Sequence, residues 1–509
     1  MPRLDAMLAR AALSEPSRDA VIFRDTIWSY AEVYDRACRL ASALAALGVR
    51  KGDRVAFWAA NRPEFVEVLF GVPILGAIAS PLDHWWTWKD AYAAIEQIRP
   101  KVLIVGASQA AAIMDCQDEM QAAGIQHVLC LEDRPAEIKF DLYALKIASA
   151  ARFGAPVAVG PGDPALILFT SGSTGRSKGS VHTHRSLVAA AMTMSLELDL
   201  RDGERTLHFL PLFSSCLEQL IPLTLMRATH IILSQFDAPA VWEAIARFKV
   251  THFDAVPTTL RRLLDAAPPM PVKSLRSISY ASERMPALLI TALIERMPEV
   301  RFVQFYGMME HLCLTVLQAS DQLRKIGTVG RPMLGAQLYL LHSEDHASTS
   351  RQPGEIVAHG PTLFAGYWQD EVATAQVMRG EWMRTGDIGH FDEEGFLTLE
   401  GRVKEMIKTG GLTVIPTEIE TVLMGHPNVS DAAVVGIPDV HWGEAVHAFV
   451  TLSAGAVTTE SDLKLFCQER LAGYKRPKVI HFVSELPRTG IGKIARRLVR
   501  ERIFALRAE

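Results

Sequence analysis

Apolar positions in the first two hundred residues recur in two alternating rhythms. A 3.6-residue period predicts helices at 30–47 and 64–76, and between them the turn Lys51-Gly52-Asp53 introduces a short apolar strand at 54–58. The same pattern returns as strands at 102–105, 127–130 and 165–169 and as a helix at 185–198. Strands and helices taking turns predict α/β layers around a largely parallel sheet. No fixed-period repeat is present, which argues against a solenoid.

From 329 to 401 the texture changes to short β-like runs punctuated by Gly and Pro, among them Gly354-Glu355-Ile356-Val357, Gly360-Pro361 and Gly395-Phe396-Leu397-Thr398. This predicts a β-rich subdomain. Beyond it, helices at 417–424 and 460–471 flank strands at 432–436 and 446–452, a small α+β unit of its own. The expected organisation is a large N-terminal domain, 1–403, and a small mobile C-terminal domain, 404–509.

Composition narrows the class. With 509 residues, 49% hydrophobic and 22% charged, the chain is an ordinary globular protein too long for one core. A net charge of -4 supplies no global field for nucleic acid or anionic lipid, so any anion binding is local. Cys38, Cys116, Cys130, Cys216, Cys313 and Cys467 are scattered, without the CxxC or His spacing of a metal site, which fits reduced thiols in a cytoplasmic protein. The start lacks the apolar core of a leader, and no run of about 18 apolar residues is available to span a membrane.

The segment most suggestive of chemistry is Thr170-Ser171-Gly172-Ser173-Thr174-Gly175-Arg176-Ser177-Lys178-Gly179. Its glycines let backbone approach an anion, its hydroxyls and amides donate to phosphate oxygens, and Lys178 adds charge. It is expected to leave a strand and precede a helix. A flexible Ser/Gly connector is the competing reading. The GxxxxGK[ST] pattern cannot be laid on it, since Ser177 stands five residues after Gly172.

This loop resembles the phosphate-binding signature of the acyl-adenylate-forming enzymes, which include acyl- and aryl-CoA synthetases, peptide-synthetase adenylation domains and luciferases. Further motifs follow in the family's order: Val256-Pro257-Thr258, Gln304-Phe305-Tyr306-Gly307-Met308-Met309-Glu310, Gly354-Glu355 with Gly366-Tyr367-Trp368, and Arg384-Thr385-Gly386-Asp387. Gly401-Arg402-Val403-Lys404-Glu405, Gly410-Gly411, Gly436-Ile437-Pro438-Asp439 and Pro487-Arg488-Thr489-Gly490-Ile491-Gly492-Lys493-Ile494 complete the series. The resemblance covers nearly the whole chain. It implies an acyl-CoA synthetase using ATP, Mg2+ and coenzyme A, with AMP as the leaving group.

The resemblance also implies roles. Driving a carboxylate onto the α-phosphate of ATP joins two anions, so the site needs cations and N–H donors. Lys493 is expected to bridge the acyl carboxylate and the phosphate, with a basic tail containing Arg496 and Arg500 as its bland context. Ser171, Gly172, Ser173, Thr174, Gly175 and Lys178 are expected to cradle the phosphates. Glu310, with Thr170, is expected to hold the metal, a hard cation that favours oxygen. Tyr306 and Gly307 would lie against adenine together with Ser282 and Glu283, and Asp387 with Arg402 would take the ribose. Lys404 stands at the family's hinge position, and Gly410-Gly411 is expected to pass the pantetheine arm. Lys475, Arg476 and Lys478 are candidates for the phosphates of CoA, with a solvated basic loop as the alternative.

The family pattern is broken at four places. Ser177 replaces a Pro, Met309 replaces the Thr of the Tyr-Gly-x-Thr-Glu motif, Thr413 replaces an Asn, and Ser214, Ser215 and Cys216 follow Phe213 where an aromatic or His gate is usual. Loss of one donor at a charged transition state costs about 3 kcal/mol. Adenylation is therefore expected to be impaired relative to thioester formation, so that an acyl adenylate supplied by a separate adenylating enzyme becomes an alternative substrate. Phe213, Ser214, Val256 and Tyr280 are the expected substrate pocket. Ser214 brings no charge to pair an α-ammonium, which disfavours amino acids. The expected partner is a small carboxylic acid. A carrier protein in place of CoA and a non-catalytic acyl-nucleotide-binding protein stay open as alternatives, and a homodimer is compatible with the resemblance.

Overall fold

The structure, a computed structural model, describes residues 3–132, 140–170, 177–215, 220–266, 273–343, 346–348, 351–453, 455–488, 494–496 and 498–501. The chain divides into two compact units, one of residues 1–337 and 359–381 and the other of 338–358 and 382–509.

Among the described residues, the first unit holds two large sheets. One runs, in spatial order, through Asp141–Leu142, His127–Cys130, Val102–Val105, Arg54–Trp58, Ile78–Pro81, Pro164–Thr170 and Lys178–Thr183. Its central pairs are parallel. Val102, Leu103, Ile104 and Val105 are wholly buried, which explains why this strand reads as an unbroken apolar run and not as an alternation. The other sheet runs Arg331–Pro332, His311–Leu317, Arg301–Met308, Ser277–Tyr280, His252–Ala255, Arg205–His208, Thr229–Ile232, Asp19–Phe23 and Thr26–Ser29. Its strands from Arg205–His208 to Arg301–Met308 are parallel neighbours, so their C-terminal ends share one edge.

Helix ends follow the local chemistry. Tyr30–Ala46 opens on a reciprocal box in which Ser29 N–H donates to Glu32 at 2.7 Å and Glu32 N–H donates to Ser29 Oγ. His184–Glu197 opens on Thr183, whose Oγ1 accepts from Ser186 N–H. The apolar stretch expected as one helix at 64–76 is a helix at Glu64–Gly71 followed by a 3-10 turn at Val72–Leu75, where Pro73 interrupts the α-helical ladder.

The phosphate loop leaves a strand and precedes a helix as expected, but a second strand intervenes, with Thr170 paired to Lys178 and Phe169 to Gly179. The helix His184–Glu197 begins only after the second strand. The sequence Lys178-Gly179-Ser180-Val181-His182-Thr183 carries a single aliphatic residue, so its strand character is set by pairing and not by apolar pattern.

In the second unit, Gly354–His359 pairs antiparallel with Trp382–Phe391, which pairs in turn with Leu397–Arg402. A second sheet is built on the long hairpin Val429–Asp439 and Gly443–Leu452, flanked by Ile407–Thr409, Leu412–Val414 and Val479–Phe482. The helices Pro416–Met424 and Glu460–Gln468 contribute Ile419, Leu423, Leu463 and Cys467 to its core. No helix among the described residues is long and apolar enough to cross a membrane.

Candidate active site

The second strand of the loop hairpin, Lys178–Thr183, would leave an open sheet edge. The chain returns nearly two hundred residues later to cover it. Val181 N–H donates to Gly366 O at 3.0 Å, Ala365 N–H to Val181 O at 2.8 Å, and Trp368 N–H to Gly179 O at 2.8 Å. This strap also ties in the tip of a neighbouring hairpin, since Phe364 N–H donates to Glu310 O at 2.8 Å. Tyr367 is thereby fixed between two charged groups. Its hydroxyl donates to Glu310 Oε1 at 2.7 Å, and the Lys178 ammonium lies 4.9 Å from its ring centre. Burial, then the Glu310 carboxylate, pushes the Tyr367 hydroxyl well above its ordinary pKa, so it stays a donor. Glu310 is 9% exposed, a nearly buried carboxylate with its orientation set by Tyr367.

Met309 and Glu310 form the tip joining the strands Arg301–Met308 and His311–Leu317. Beneath them, His182 Nε2 lies 2.7 Å from the Met309 carbonyl and its Nδ1 lies 3.2 Å from Ser186 Oγ. Burial lowers the His182 pKa to about 4, so it is a neutral imidazole that donates to the carbonyl. Gly307 has no substitute here, because a Cβ would run into the carbonyl of Leu312. Tyr306 is half-buried on the same strand. Ser282 holds φ at 75°, a left-handed conformation that favours glycine. Glu283 N–H donates to Ala281 O across this turn.

The expected pocket residues separate. Phe213 is the centre of an aromatic group with His84 and Trp85, at ring distances of 5.8 and 6.1 Å. Ser214 Oγ donates to Pro211 O at 3.1 Å, closing the helix turn Leu212–Ser215. Val256 is nearly buried just past the strand His252–Ala255. Tyr280 belongs to a different environment: it is 1% exposed in the core around Phe253, Ile278 and Phe302, and its hydroxyl donates to Gln322 at 2.6 Å.

In the second unit, Asp387 and Arg402 face each other across paired strands, with Arg402 Nε 2.9 Å from Asp387 Oδ1. Asp387 is 6% exposed, whereas the Arg402 side chain reaches solvent. Lys404 is exposed on the short 3-10 turn Val403–Glu405, at the junction between the unit's two sheets. Gly410 and Gly411 have φ of 55° and 77° and turn the hairpin between Ile407–Thr409 and Leu412–Val414. Gly410 N–H donates to Trp442 O at 2.8 Å, and a Cβ on Gly410 would lie 3.2 Å from the Trp442 ring. Thr413 Oγ1 accepts from Lys408 Nζ. Lys475 is engaged with both oxygens of Glu418, and the Lys478 ammonium lies over Trp442 at 4.3 Å. Arg496 is partly buried and paired with Glu405 and Glu420, so it is structural and not part of a solvated tail.

Ser171, Gly172, Ser173, Thr174, Gly175 and Lys493 lie outside the described residues, as does the Thr170 side chain. What is described is their anchorage. The loop 171–176 springs from the Thr170–Lys178 pair, and Arg488 and Ile494, on either side of 489–493, form an antiparallel bridge.

Sequence reading missed Tyr367 as a partner of Glu310, His182 as the support of Met309, and His84 and Trp85 beside Phe213. The last had a visible signal, the aromatic run His84-Trp85-Trp86-Thr87-Trp88. The first two had none, because they join segments 57 and 127 residues apart.

In the first unit a buried carboxylate, Glu310, shares Tyr367 with the Lys178 ammonium; in the second, Asp387 pairs with Arg402. The profile of the AMP-binding enzyme family matches residues 8–368, and that of the AMP-binding enzyme C-terminal domain matches 418–493. The chain belongs to the AMP-binding enzyme family. A long-chain-fatty-acid–CoA ligase of Mycobacterium tuberculosis is 34% identical over 515 residues, spanning 99% of both chains. A feruloyl-CoA synthase of Amycolatopsis sp. is 33% identical over 501 residues, 97% of each. Among solved structures, ATP-bound MatB from Rhodopseudomonas palustris superposes with a TM-score of 0.89 at 28% identity, covering 99% of both chains. As a member of this family the chain is an acid–thiol ligase.

Proposed function

We propose that this AMP-binding enzyme is an acyl-CoA synthetase that joins a carboxylic acid to coenzyme A through an acyl adenylate, consuming ATP with Mg2+. The observation that carries the reading is the corner in which Tyr367 orients Glu310 and faces Lys178, at the foot of the 171–176 loop. CoA as acceptor is supported by the two CoA-forming relatives.

In the first step a carboxylate oxygen attacks the α-phosphorus of ATP, the bond to the bridging oxygen breaks and pyrophosphate leaves. The loop and Lys178 hold the phosphates, and Lys493 supplies the cation shared by carboxylate and α-phosphate. Tyr306, Gly307, Ser282 and Glu283 take adenine, while Asp387 accepts from the ribose hydroxyls with Arg402 beside it. Among the described residues no group of three or more His, Cys, Asp or Glu stands ready to hold an ion. Mg2+ takes one or two carboxylates plus substrate phosphates, and Glu310 with Thr170 would hold it. When bound, the ion neutralises phosphate charge.

In the second step the CoA sulfur attacks the acyl carbon and AMP departs with the electrons of the acyl–oxygen bond. The side-chain-free Gly410-Gly411 turn leaves room for the pantetheine arm. The two-domain division at 403/404, with Lys404 as the hinge, is part of this proposal, and the site of Lys404 between two sheets suits a hinge. Met309 offers the α-phosphate no hydroxyl, so adenylation is the slower half-reaction.

The test runs the halves separately on the purified chain: ATP–pyrophosphate exchange with a panel of acids, and thioester formation from preformed acyl adenylates with CoA or a pantetheinylated carrier protein. The reading expects both halves with CoA and a faster second half. Equal rates remove the adenylation deficit, and turnover with the carrier alone replaces CoA as acceptor.

A further inference from the structure

One face of the parallel sheet carries a polar cluster that the adenylate chemistry does not use. His252 and Asp254 alternate onto the same face as Ser277 and Ser279, their register partners on the neighbouring parallel strand. All four are buried, at 1%, 5%, 1% and 1% exposure. His252 is satisfied, with Nδ1 2.9 Å from Ser277 Oγ and Nε2 3.3 Å from Ser279 Oγ. On the same face, His208, His230 and Thr224 form a second closed chain, linked at 2.9 and 3.1 Å.

Asp254 is the exception. Neither carboxyl oxygen has a hydrogen-bond partner, and the nearest candidate, His252 Nε2, stands 3.7 Å from Oδ1. Burial raises the Asp254 carboxyl from its ordinary value, against a smaller lowering pull from His252. A buried polar group left unmatched is a standing cost to the fold, and such groups in native proteins call for a functional explanation. The opposite face of the same strand shows the apolar alternative, Phe253 and Ala255 in the second core.

Its position supplies the explanation. Ligands of parallel sheets bind beyond the carboxyl ends of the strands. On this face the next side chain beyond Asp254 is Val256, about 6.6 Å further along at that end. A tail that entered past Val256 would meet this face, on which Asp254 and Ser279 are register partners.

We infer that Asp254, flanked by Ser279 and His252, is a specificity residue that exchanges hydrogen bonds with a hydroxyl on the tail of the acid, so that hydroxylated carboxylic acids are the substrate class. The inference rests on the ligase reading for the identity of the ligand as an acid. A hydroxyl, at once donor and acceptor, can serve the serines and a carboxyl in either protonation state, whereas an ammonium needs the ionised form that burial opposes.

Calorimetric titration of the full chain with matched acids tests it: phenylpropanoic acid against its ring-hydroxylated forms, and straight-chain acids against their ω-hydroxy forms. The wild type is expected to bind at least one hydroxylated acid about tenfold or more tightly than its deoxy partner, the span of one hydrogen bond to a buried group. Asp254→Leu is expected to erase that preference and to raise the melting temperature of the free protein. Asp254→Asn, which keeps the shape and a hydrogen-bonding group, is expected to retain part of the preference and serves if the leucine variant does not fold. The inference is overturned if the wild type favours the deoxy partner in every pair, or if Asp254→Leu leaves the ratio unchanged. Adenylation of deoxy acids without any hydroxyl preference would overturn it while leaving the ligase reading intact. Hydroxyl-selective binding with no AMP release would do the reverse.

Discussion

Replacing Tyr367 with phenylalanine isolates one hydrogen bond at the site. The ring remains beneath Lys178 and only the hydroxyl that donates to Glu310 at 2.7 Å is lost. Because Glu310 is 9% exposed, water has little access to replace the donor. A hydrogen bond to a charged group contributes about 1.5–3 kcal/mol, so losing the orientation it sets corresponds to about 10- to 150-fold. The loss should fall on the step that uses the Glu310 carboxylate. ATP–pyrophosphate exchange is therefore expected to slow by that factor, with a higher Mg2+ requirement, while thioester formation from preformed acyl adenylate stays near the wild-type rate. Exchange that remains within about twofold of wild type, or an equal loss in both halves, would refute the assignment of Tyr367 as the group that positions Glu310.

Other perturbations follow from the same geometry. Ser282→Gly removes a side chain from a φ of 75° and is expected to raise stability by about 1 kcal/mol, read as a higher melting temperature; an unchanged or lower one speaks against strain at this turn. Lys493→Ala is expected to lower pyrophosphate exchange by about a hundredfold or more yet spare thioester formation from supplied adenylate, and parallel loss in both assays would remove its separate role. Burial holds His182 and His311 at about 4, below the unfolded value near 6.5, so between those limits the unfolded chain binds more protons. Their contribution is intact above about pH 6.5 and falls away as the pH drops toward 4, by about 2 kcal/mol each at pH 5. A urea midpoint that stays flat from pH 7 to 5 would contradict their neutral burial.

What could be read from the sequence was whatever local pattern decides. The strand Val102–Val105 was legible because burial on both faces writes an unbroken apolar run. The Gly410-Gly411 turn was legible because two consecutive positive φ values require residues without a Cβ. The strand Lys178–Thr183 was not, since its pairing comes from Thr170 on one side and from the distant strap around Gly366 on the other. Tyr367, His182, His84 and Asp254 were hidden for a related reason: their meaning lies in partners, or in the lack of one, that only the folded chain defines. Tyr280 shows the converse, a residue near the right motif whose strand turns it into the opposite core.

The route through a mixed anhydride with AMP is the central claim, and oxygen-isotope transfer addresses it directly. With a turned-over acid labelled with 18O in its carboxylate, plus ATP, Mg2+ and CoA, the account predicts AMP carrying one labelled oxygen and a thioester retaining the other. Unlabelled AMP, or label appearing in inorganic phosphate alongside ADP, would contradict it.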